Sequence, residues 1–221
     1  MILLLGLVLV SIAAGYVLGG RLRRFELLSL RWWALAPIGF VLQPLPVPHL
    51  EGDAERLLGV SLLIGSYVLL LVFVAVNLRI TGFALLFIGL ALNFAVISAN
   101  GGMPVSREAL EASEQPSSLR VLERGEAPKH HLLGPDDVLT PLADVISIGE
   151  PINQIVSIGD LVVYVAIAWI LIAVMRGRTR GLALDAGQEA YRGKHRRRGS
   201  WAASPPQPPP PAAATRSGSG R

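Results

Sequence analysis

This 221-residue chain contains no cysteine, which excludes disulfide bonds, thiolate metal sites and cysteine nucleophiles. Charged residues are also scarce, at 16% of the sequence, whereas apolar residues make up 52%. The sequence has neither a Gly-x-Ser-x-Gly nucleophile elbow nor a glycine-rich phosphate loop. It therefore lacks the signatures of two common groups of enzymes, the serine hydrolases of that type and the P-loop nucleotide-binding proteins.

The apolar residues come in long blocks rather than at amphipathic spacing, which is typical of an integral membrane protein. A helix needs roughly 20 predominantly apolar residues to cross the ~30 Å hydrocarbon core of a bilayer. Four segments meet this requirement, namely 2–20, 57–77, 80–99 and 158–175. A fifth segment, 32–47, is shorter and is interrupted by Pro37, Pro44 and Pro46, so it either spans the membrane or re-enters it. We predict an all-α integral membrane protein with about five transmembrane helices.

The positive charges of the short loops decide whether the segment 32–47 spans. Lys and Arg collect on cytoplasmic loops. Four arginines follow the first span. Arg79 lies in the short turn between the segments 57–77 and 80–99, and a basic run follows Met175. All three lie on one side only if 32–47 crosses. We therefore predict five spans in a bacterial plasma membrane, with the amino terminus outside and the carboxyl terminus in the cytoplasm.

The last segment, 177–221, has a composition of Arg, Gly, Ala, Ser and Pro that cannot bury a core. We predict a disordered cytoplasmic tail. Half of the 20 Lys and Arg residues lie from Arg176 onward, a position that suits anionic phospholipid of the cytoplasmic leaflet. A solvated basic anchor is the favoured interpretation, a proline-rich ligand for a protein is the other, and nucleic acid is not expected to bind.

The long polar segment 100–157 carries most of the residues capable of chemistry. It opens at Asn100 with two glycines and Pro104, which together permit a sharp turn at the membrane surface. A short helix from Ser106 to Ala112, capped by Ser106, is expected to follow. Further on lie Lys129, His130, His131, Asp136, Asp137 and Asp144.

Two histidines and three aspartates in this segment raise the hypothesis of a metal site. Adjacent His130 and His131 point in different directions, however, and no His-x-x-x-His or Cys-x-x-Cys spacing preorganises ligands. We predict no metal ion and no cofactor, and we interpret 100–157 as an extracytoplasmic loop.

Two asparagines mark one face of the span 80–99. Asn93 and Asn100 are seven residues apart, which places Asn93 about 10 Å deeper at a rise of 1.5 Å per residue. An amide at that depth needs a partner, and the best candidates are Asp160 and Tyr164, four residues apart on the last span. A polar clasp between two helices is the favoured interpretation, with a binding site as the other. Ser157 to Asp160 also resembles a helix capping box.

Several of these motifs together resemble a known family. The segments Asn100 to Val105, Lys129-His130, Leu142 to Ile146 and Val156 to Asp160 look like those of small bacterial membrane proteins grouped as domain of unknown function family 5317. The resemblance spans roughly residues 1–175 and leaves the tail outside. It implies a multi-pass protein of the bacterial plasma membrane and adds no reaction.

An aspartate pair supplies an alternative function. Asp144 and Asp160 are loosely similar to the pair of lipoprotein signal peptidases, in which two close carboxylates share a proton and activate water. The Asn and Arg residues that accompany those peptidase aspartates have no counterpart at matching positions.

We therefore predict a non-enzymatic protein that binds a protein partner or lipid through 100–160, and the alternative is a membrane-surface hydrolase that uses Asp144 and Asp160. The candidate binding residues are Asn93, Asn100, Lys129, His130, Asp144, Asp160 and Tyr164.

Overall fold

The apolar blocks of the sequence are helical in a computed structural model that describes residues 2–48 and 53–179. The helices are α1 (Ile2–Val17), α2 (Leu35–Leu42), α3 (Ala54–Val76), α4 (Phe83–Asn100), α5 (Arg107–Ala112), α6 (Pro116–Glu123) and α7 (Ile158–Met175). Four short strands lie between α4 and α7, namely β1 (Met103–Val105), β2 (His130–Leu132), β3 (Ile146–Ile148) and β4 (Gln154–Val156). Short 3₁₀ helices cover Leu22–Leu27 and Thr140–Leu142.

Three of the helices, α3, α4 and α7, are long and apolar enough to cross a membrane. They correspond to the predicted spans 57–77, 80–99 and 158–175, so helices at these positions are confirmed. The predicted first span, 2–20, holds the shorter α1 of 16 residues. Large apolar side chains on the outer face of α1 stay 59–68% exposed, among them Leu5, Leu9 and Val10. Such a surface is compatible with contact to lipid chains.

The segment 32–47 contains only eight helical residues, those of α2, which cover about 12 Å at 1.5 Å per residue. Prolines account for this length. Pro37 lies in the first turn of α2, where a missing N–H is tolerated, whereas Pro44 and Pro46 follow the helix and cannot continue it.

Both ends of this segment are tied to other parts of the chain. At its start, the backbone N–H of Arg31 donates to Asn77 Oδ1 at 2.9 Å, and Asn77 Nδ2 donates to the Arg31 carbonyl at 2.8 Å. At its end, Lys129 Nζ donates to the carbonyl oxygens of Gln43 at 2.6 Å and Leu45 at 2.8 Å. Asn77 ends α3, whereas Lys129 belongs to the polar segment that contacts the start of α3. The segment 32–47 therefore runs along the length of α3.

The carboxyl end of α7 is held by the segment that follows α1. Arg24 Nη1 donates to the Met175 carbonyl oxygen at 2.6 Å, and the Arg21 backbone N–H donates to the same oxygen at 2.8 Å. A cationic side chain at this end of a helix stabilises its unpaired carbonyl groups. These contacts bring the ends of α1 and α7 together, so the two helices run in the same direction.

The polar segment 100–157 is folded, and its strands correct the all-α prediction. β1 pairs in parallel with β2, and β3 pairs antiparallel with β4. Each strand is only three residues long, so the alternation of polar and apolar residues that identifies a strand has no room to appear in the sequence. The predicted short helix is confirmed as α5, and Ser106 Oγ accepts a hydrogen bond from the Ala109 N–H at 3.2 Å.

The predicted tail, 177–221, lies outside the described residues from 180 onward. Its disorder and its binding to anionic phospholipid stay predictions.

Candidate functional site

A small polar cavity lies where α3, α4 and α7 meet the folded segment 100–157. Its volume is about 210 Å³. Five of the seven candidate residues predicted from the sequence line it, namely Asn93, Lys129, His130, Asp144 and Asp160. The structure therefore brings most of the predicted residues together, although they come from four separate parts of the chain.

Asp160 is held by the amino end of α7. Its backbone N–H donates to Ser157 Oγ at 2.9 Å, and its Oδ2 accepts the Ser157 backbone N–H at 3.1 Å, which completes the capping box that the sequence predicts. The second carboxylate oxygen, Oδ1, accepts a hydrogen bond from Asn93 Nδ2 at 2.7 Å. Both oxygens of Asp160 therefore have a donor within the protein.

Asn93 joins α4 to α7, as the clasp interpretation predicts. Besides its bond to Asp160, its Oδ1 accepts a hydrogen bond from Ser157 Oγ at 2.8 Å, and its Nδ2 lies 3.4 Å from the hydroxyl of Tyr67 on α3. Asn93 is only 2% exposed, so these partners replace water that the amide cannot reach.

Two glycines permit this contact between α4 and α7. A Cβ added at Gly89 would lie 2.8 Å from the carbonyl oxygen of Gly159, and a Cβ added at Gly159 would overlap the amide oxygen of Asn93. Any larger residue at these positions would push the two helices apart, in the way that small residues govern close helix packing in membranes.

Asp144 lines the same cavity, but its hydrogen-bond partners differ from those of Asp160. Its backbone is fixed beside β1, because its N–H donates to the Pro104 carbonyl at 3.0 Å and its own carbonyl accepts the Ser106 N–H at 2.9 Å. Its carboxyl Oδ1 is buried and has no hydrogen-bond partner in the described parts of the chain. Burial, and to a lesser extent the charge of Asp160, raises the pKa of Asp144 to about 8. The carboxyl group is therefore mostly protonated and uncharged at neutral pH.

Lys129 and His130 complete the polar lining. Burial lowers the pKa of Lys129, whose ammonium group donates to the two carbonyls that follow α2. The ring of His130 is exposed where it borders cavities but is otherwise surrounded by protein. This burial, with the nearby charges of Lys129 and His131, lowers the pKa of His130. His130 is accordingly neutral at pH 7.

Two further cavities share residues with the polar one. An outer cavity of about 620 Å³ lies among α6, β1, β2 and β4, and it also contacts His130 and Asp144. A cavity of about 260 Å³ lies between the apolar helices α2, α3, α4 and α7, and it also contacts Asn93 and Asp160. We call it the membrane-level cavity because these helices are the predicted spans. The polar cavity therefore separates a large outer space from an apolar space among the helices.

Comparison with known protein families identifies the chain's family. The sequence profile of a family of unknown function, DUF5317, matches residues 27–172. The chain belongs to this family. The resemblance drawn from the motifs around Asn100 and Asp160 is thus confirmed, and the matched range contains every residue of the polar cavity. No curated protein and no solved structure matches the chain.

Two predicted candidates of this DUF5317 chain have other surroundings. Asn100 exchanges two hydrogen bonds with the backbone of Val138, donating to its carbonyl at 2.9 Å and accepting its N–H at 2.8 Å, so it fastens the end of α4 to the outer segment. Tyr164 does not contact Asn93. Its hydroxyl accepts a hydrogen bond from Gln154 Nε2 at 3.3 Å, and its ring lines the membrane-level cavity.

Sequence reasoning missed several residues that the structure places at these cavities, among them Tyr67, Gln43 and Asn153. Tyr67 and Gln43 line both the polar and the membrane-level cavity, and Asn153 lines the outer one. A tyrosine in the middle of the long apolar run of α3 was a usable signal, because polar groups within spans usually face a partner or a cavity. Gln43 and Asn153 lie in irregular segments, where the sequence gives no periodicity that places a side chain.

Metal binding finds no support in the geometry of residues 2–48 and 53–179, where no group of three or more His, Asp or Glu side chains could hold an ion. His131 instead pairs with Asp137, with 2.9 Å between Nε2 and Oδ1.

Proposed function

We propose that this DUF5317 protein binds an amphiphile from the membrane, with the polar end of the ligand at the polar cavity and its apolar part in the membrane-level cavity. The observation that carries the proposal is the junction of these two spaces. Gln43, Tyr67, Asn93 and Asp160 border both of them. A polar space directly beside an apolar one between helices suits a molecule that has both characters.

The membrane-level cavity supplies the apolar half of this site. Its walls are predominantly apolar, and they include Phe40 from α2, Leu90 from α4 and Ile167 from α7. Helix α2 has only eight residues, so the rest of the segment 32–47 does not form a helix beside this cavity.

The polar cavity supplies the other half. Asp144 offers a buried, unpartnered Oδ1 in a mostly uncharged carboxyl group, and neutral His130 offers a ring nitrogen. A buried acceptor without a donor is costly, so a ligand that donates a hydrogen bond there gains affinity. Asp160 and Asn93 are already hydrogen-bonded to each other, and in this proposal they form part of the cavity wall.

The membrane topology that we propose has five crossings, with the amino terminus and the segment 100–157 outside and the carboxyl terminus in the cytoplasm. Its support is the path of 32–47, which contacts Asn77 at one end of α3 and Lys129 beyond the other. The positive-inside distribution of arginines agrees. We further propose a plasma-membrane location, with the basic tail held by anionic phospholipid of the cytoplasmic leaflet.

Native mass spectrometry of the detergent-purified protein tests the binding proposal. Ile167→Trp places a large ring in the membrane-level cavity, whereas Val165→Trp places the same ring on the outer face of α7, where Val165 is 58% exposed. We expect wild type and Val165→Trp to retain lipid and Ile167→Trp to lose it. Equal retention by all three proteins, or bare protein in all three, would contradict the proposal.

A membrane-surface hydrolase is the second candidate function, because one specific observation favours it. A mostly protonated Asp144 and an Asp160 held by two donors line one cavity, which is the division into acid and base that a carboxyl pair needs. In such a reaction, Asp160 would accept a proton from water as the water attacks the substrate, and Asp144 would protonate the leaving group.

Asp144→Asn separates the two functions. The amide keeps the size and an acceptor oxygen of the neutral carboxyl group but cannot transfer a proton. Lipid retained at unchanged mass over time by both wild type and variant supports binding. Cleavage of a bound lipid or peptide by wild type, lost in Asp144→Asn, would support the hydrolase instead.

A further inference from the structure

We infer that the polar end of the bound amphiphile is a neutral, hydroxyl-rich group, such as a sugar headgroup, and that it extends into the outer cavity. This inference rests on the proposed function and names the class of its ligand. The outer cavity, of about 620 Å³, meets the polar cavity at His130 and Asp144. It is about three times as large as the polar cavity, so it has room for a larger headgroup.

Unpartnered acceptors gather at this cavity. Within residues 2–48 and 53–179, three buried side-chain polar atoms lack a hydrogen-bond partner, namely Asp144 Oδ1, Asn153 Oδ1 and Thr179 Oγ1. The first two belong to residues that line the outer cavity. Native proteins rarely leave buried acceptors without a donor. Both atoms are covered by neighbouring protein, so a ligand with several hydroxyl donors would satisfy them by displacing the groups that cover them.

The charges that line the outer cavity exclude two common headgroups, those with a phosphate group and those with an ammonium group. None of the described residues that line the outer cavity is Lys or Arg, so a phosphate group would lack a countercharge there. An ammonium group is also poorly matched, because the one carboxyl group in the lining, that of Asp144, is mostly protonated at neutral pH. A neutral headgroup avoids both penalties.

The remaining lining suits a hydroxylated ring. Ser117 and Ser118 provide hydroxyl groups, which exchange hydrogen bonds with hydroxyls in either direction. The Gln115 amide, by contrast, already bonds the Asn153 carbonyl and the Ser118 hydroxyl. Val121 and Ile155 provide apolar surface on the same cavity, against which the C–H face of a sugar can pack. This mixture of uncharged polar and apolar groups distinguishes the cavity from an ion site.

The test compares three lipids with identical acyl chains but different headgroups, namely a glucosyl diacylglycerol, phosphatidylglycerol and phosphatidylethanolamine. Each is titrated by native mass spectrometry into delipidated full-length protein, in an oxyethylene detergent because a sugar detergent would compete. We expect the glucosyl lipid to bind at least tenfold more tightly than either phospholipid. Preference for phosphatidylglycerol would show that an anionic or glycerol group is recognised and would overturn the inference.

Substitutions at Asn153 connect the preference to the outer cavity. The residue has φ of +47°, a conformation that glycine and aspartate also adopt. Asn153→Gly removes the acceptor, and we expect it to weaken glucosyl lipid binding about tenfold. Asn153→Asp keeps an acceptor oxygen and should restore affinity. If Asn153→Gly does not fold, Asp144→Leu removes the other acceptor, with Asp144→Asn as its matched control.

The possible failures can be told apart. If all three lipids bind equally and Ile167→Trp still abolishes binding, the headgroup inference is wrong and the amphiphile proposal stands. If no lipid binds in a manner sensitive to Ile167→Trp, the proposed function itself fails. Glucosyl lipid preference that persists unchanged in Asn153→Gly and in Asp144→Leu would also overturn the inference, because the headgroup would then lie elsewhere.

Discussion

Asp160 and Asp144 line one cavity, yet their surroundings differ in almost every respect. Asp160 begins a helix, and donors from Ser157 and Asn93 satisfy its two oxygens. Asp144 lies beside β1, and its buried Oδ1 has no partner in the described chain. The cavity thus contains one carboxylate that the fold uses and one carboxyl group that the fold leaves available.

The comparison shows why the residue type alone does not identify a site. Both aspartates are candidates in the sequence, and the decisive difference is the supply of hydrogen-bond donors. A helix amino end offers unpaired N–H groups and a favourable dipole, so a carboxylate there is explained by stability. A buried carboxyl group without donors is destabilising, so its presence favours a role in binding or in a reaction.

Of the substitutions that test this comparison, Asp144→Asn should have the largest effect on the free energy of unfolding. Burial raises the pKa of Asp144 in the folded protein to about 8, against an ordinary aspartate value of 3.8. The folded state therefore holds a proton that the unfolded state releases, and wild-type stability falls as pH rises from about 4 to about 8. Each pKa unit corresponds to about 1.36 kcal/mol, so the expected loss is several kcal/mol.

Thermal unfolding in detergent from pH 4 to pH 9 measures this effect as the difference between variant and wild type. Asp160, His130 and Lys129 face the same cavity but are present in both proteins, so the difference between the two curves reports mainly on Asp144. The stability advantage of Asp144→Asn should grow with pH and level off above about 8. Parallel curves would mean that Asp144 is already ionised in the folded protein.

Gly159→Ala should disrupt the contact between α4 and α7 around Asp160. The added Cβ would overlap the Asn93 amide, so α4 and α7 would separate and the hydrogen bonds of Asn93 would weaken. We expect a loss of about 3 kcal/mol in the free energy of unfolding. Gly65→Ala is the matched control, because nothing lies within 4 Å of a Cβ at that position and alanine favours the helix. Similar stability of both variants would show that the close contact is unimportant.

Asp160→Asn removes the charge while keeping the shape of the side chain. The variant loses the favourable interaction with the amino end of α7 and one of its two acceptor oxygens, which should cost about 1–2 kcal/mol. Asp136→Asn provides the control, since Asp136 is exposed in the same outer segment. Unchanged thermal stability, combined with loss of a catalysed reaction, would favour the hydrolase over the structural role of Asp160.

Tyr164→Phe should have the smallest effect. Tyr164 lies one turn after Asp160, but its hydroxyl makes a 3.3 Å contact with Gln154 and does not take part in the Asn93 network. Removing one half-buried, long hydrogen bond should change the free energy of unfolding by about 0.5 kcal/mol. A loss comparable to that of Asp160→Asn would place Tyr164 inside the network after all.

The surroundings of Asp160 were predicted well from the sequence. Its cap depends on residues three apart, and the partner of Asn93 follows from helix periodicity and depth, so both are local or nearly local properties. Three apolar helices were predicted for the same reason, since twenty successive residues carry the signal.

The Asp144 side was not predicted, because its surroundings are assembled from distant segments. Backbone hydrogen bonds to Pro104 and Ser106 fix Asp144 beside β1, and three-residue strands leave no pattern in the sequence. Cavities leave no pattern at all, as Gln43 and Asn153 show. The length of α2 was overestimated because the apolar run 32–47 continues through Pro44 and Pro46, where a helix cannot.

The most direct measurement is photo-crosslinking of the membrane-embedded protein with a lipid that carries a diazirine in its acyl chain, followed by peptide mass mapping. Binding across the polar and membrane-level cavities predicts adducts at Ile167 and at the buried Leu90, and loss of the Leu90 adduct in Ile167→Trp. Adducts spread over outward-facing side chains such as Leu9 and Val165, with none at the cavity, would contradict amphiphile binding.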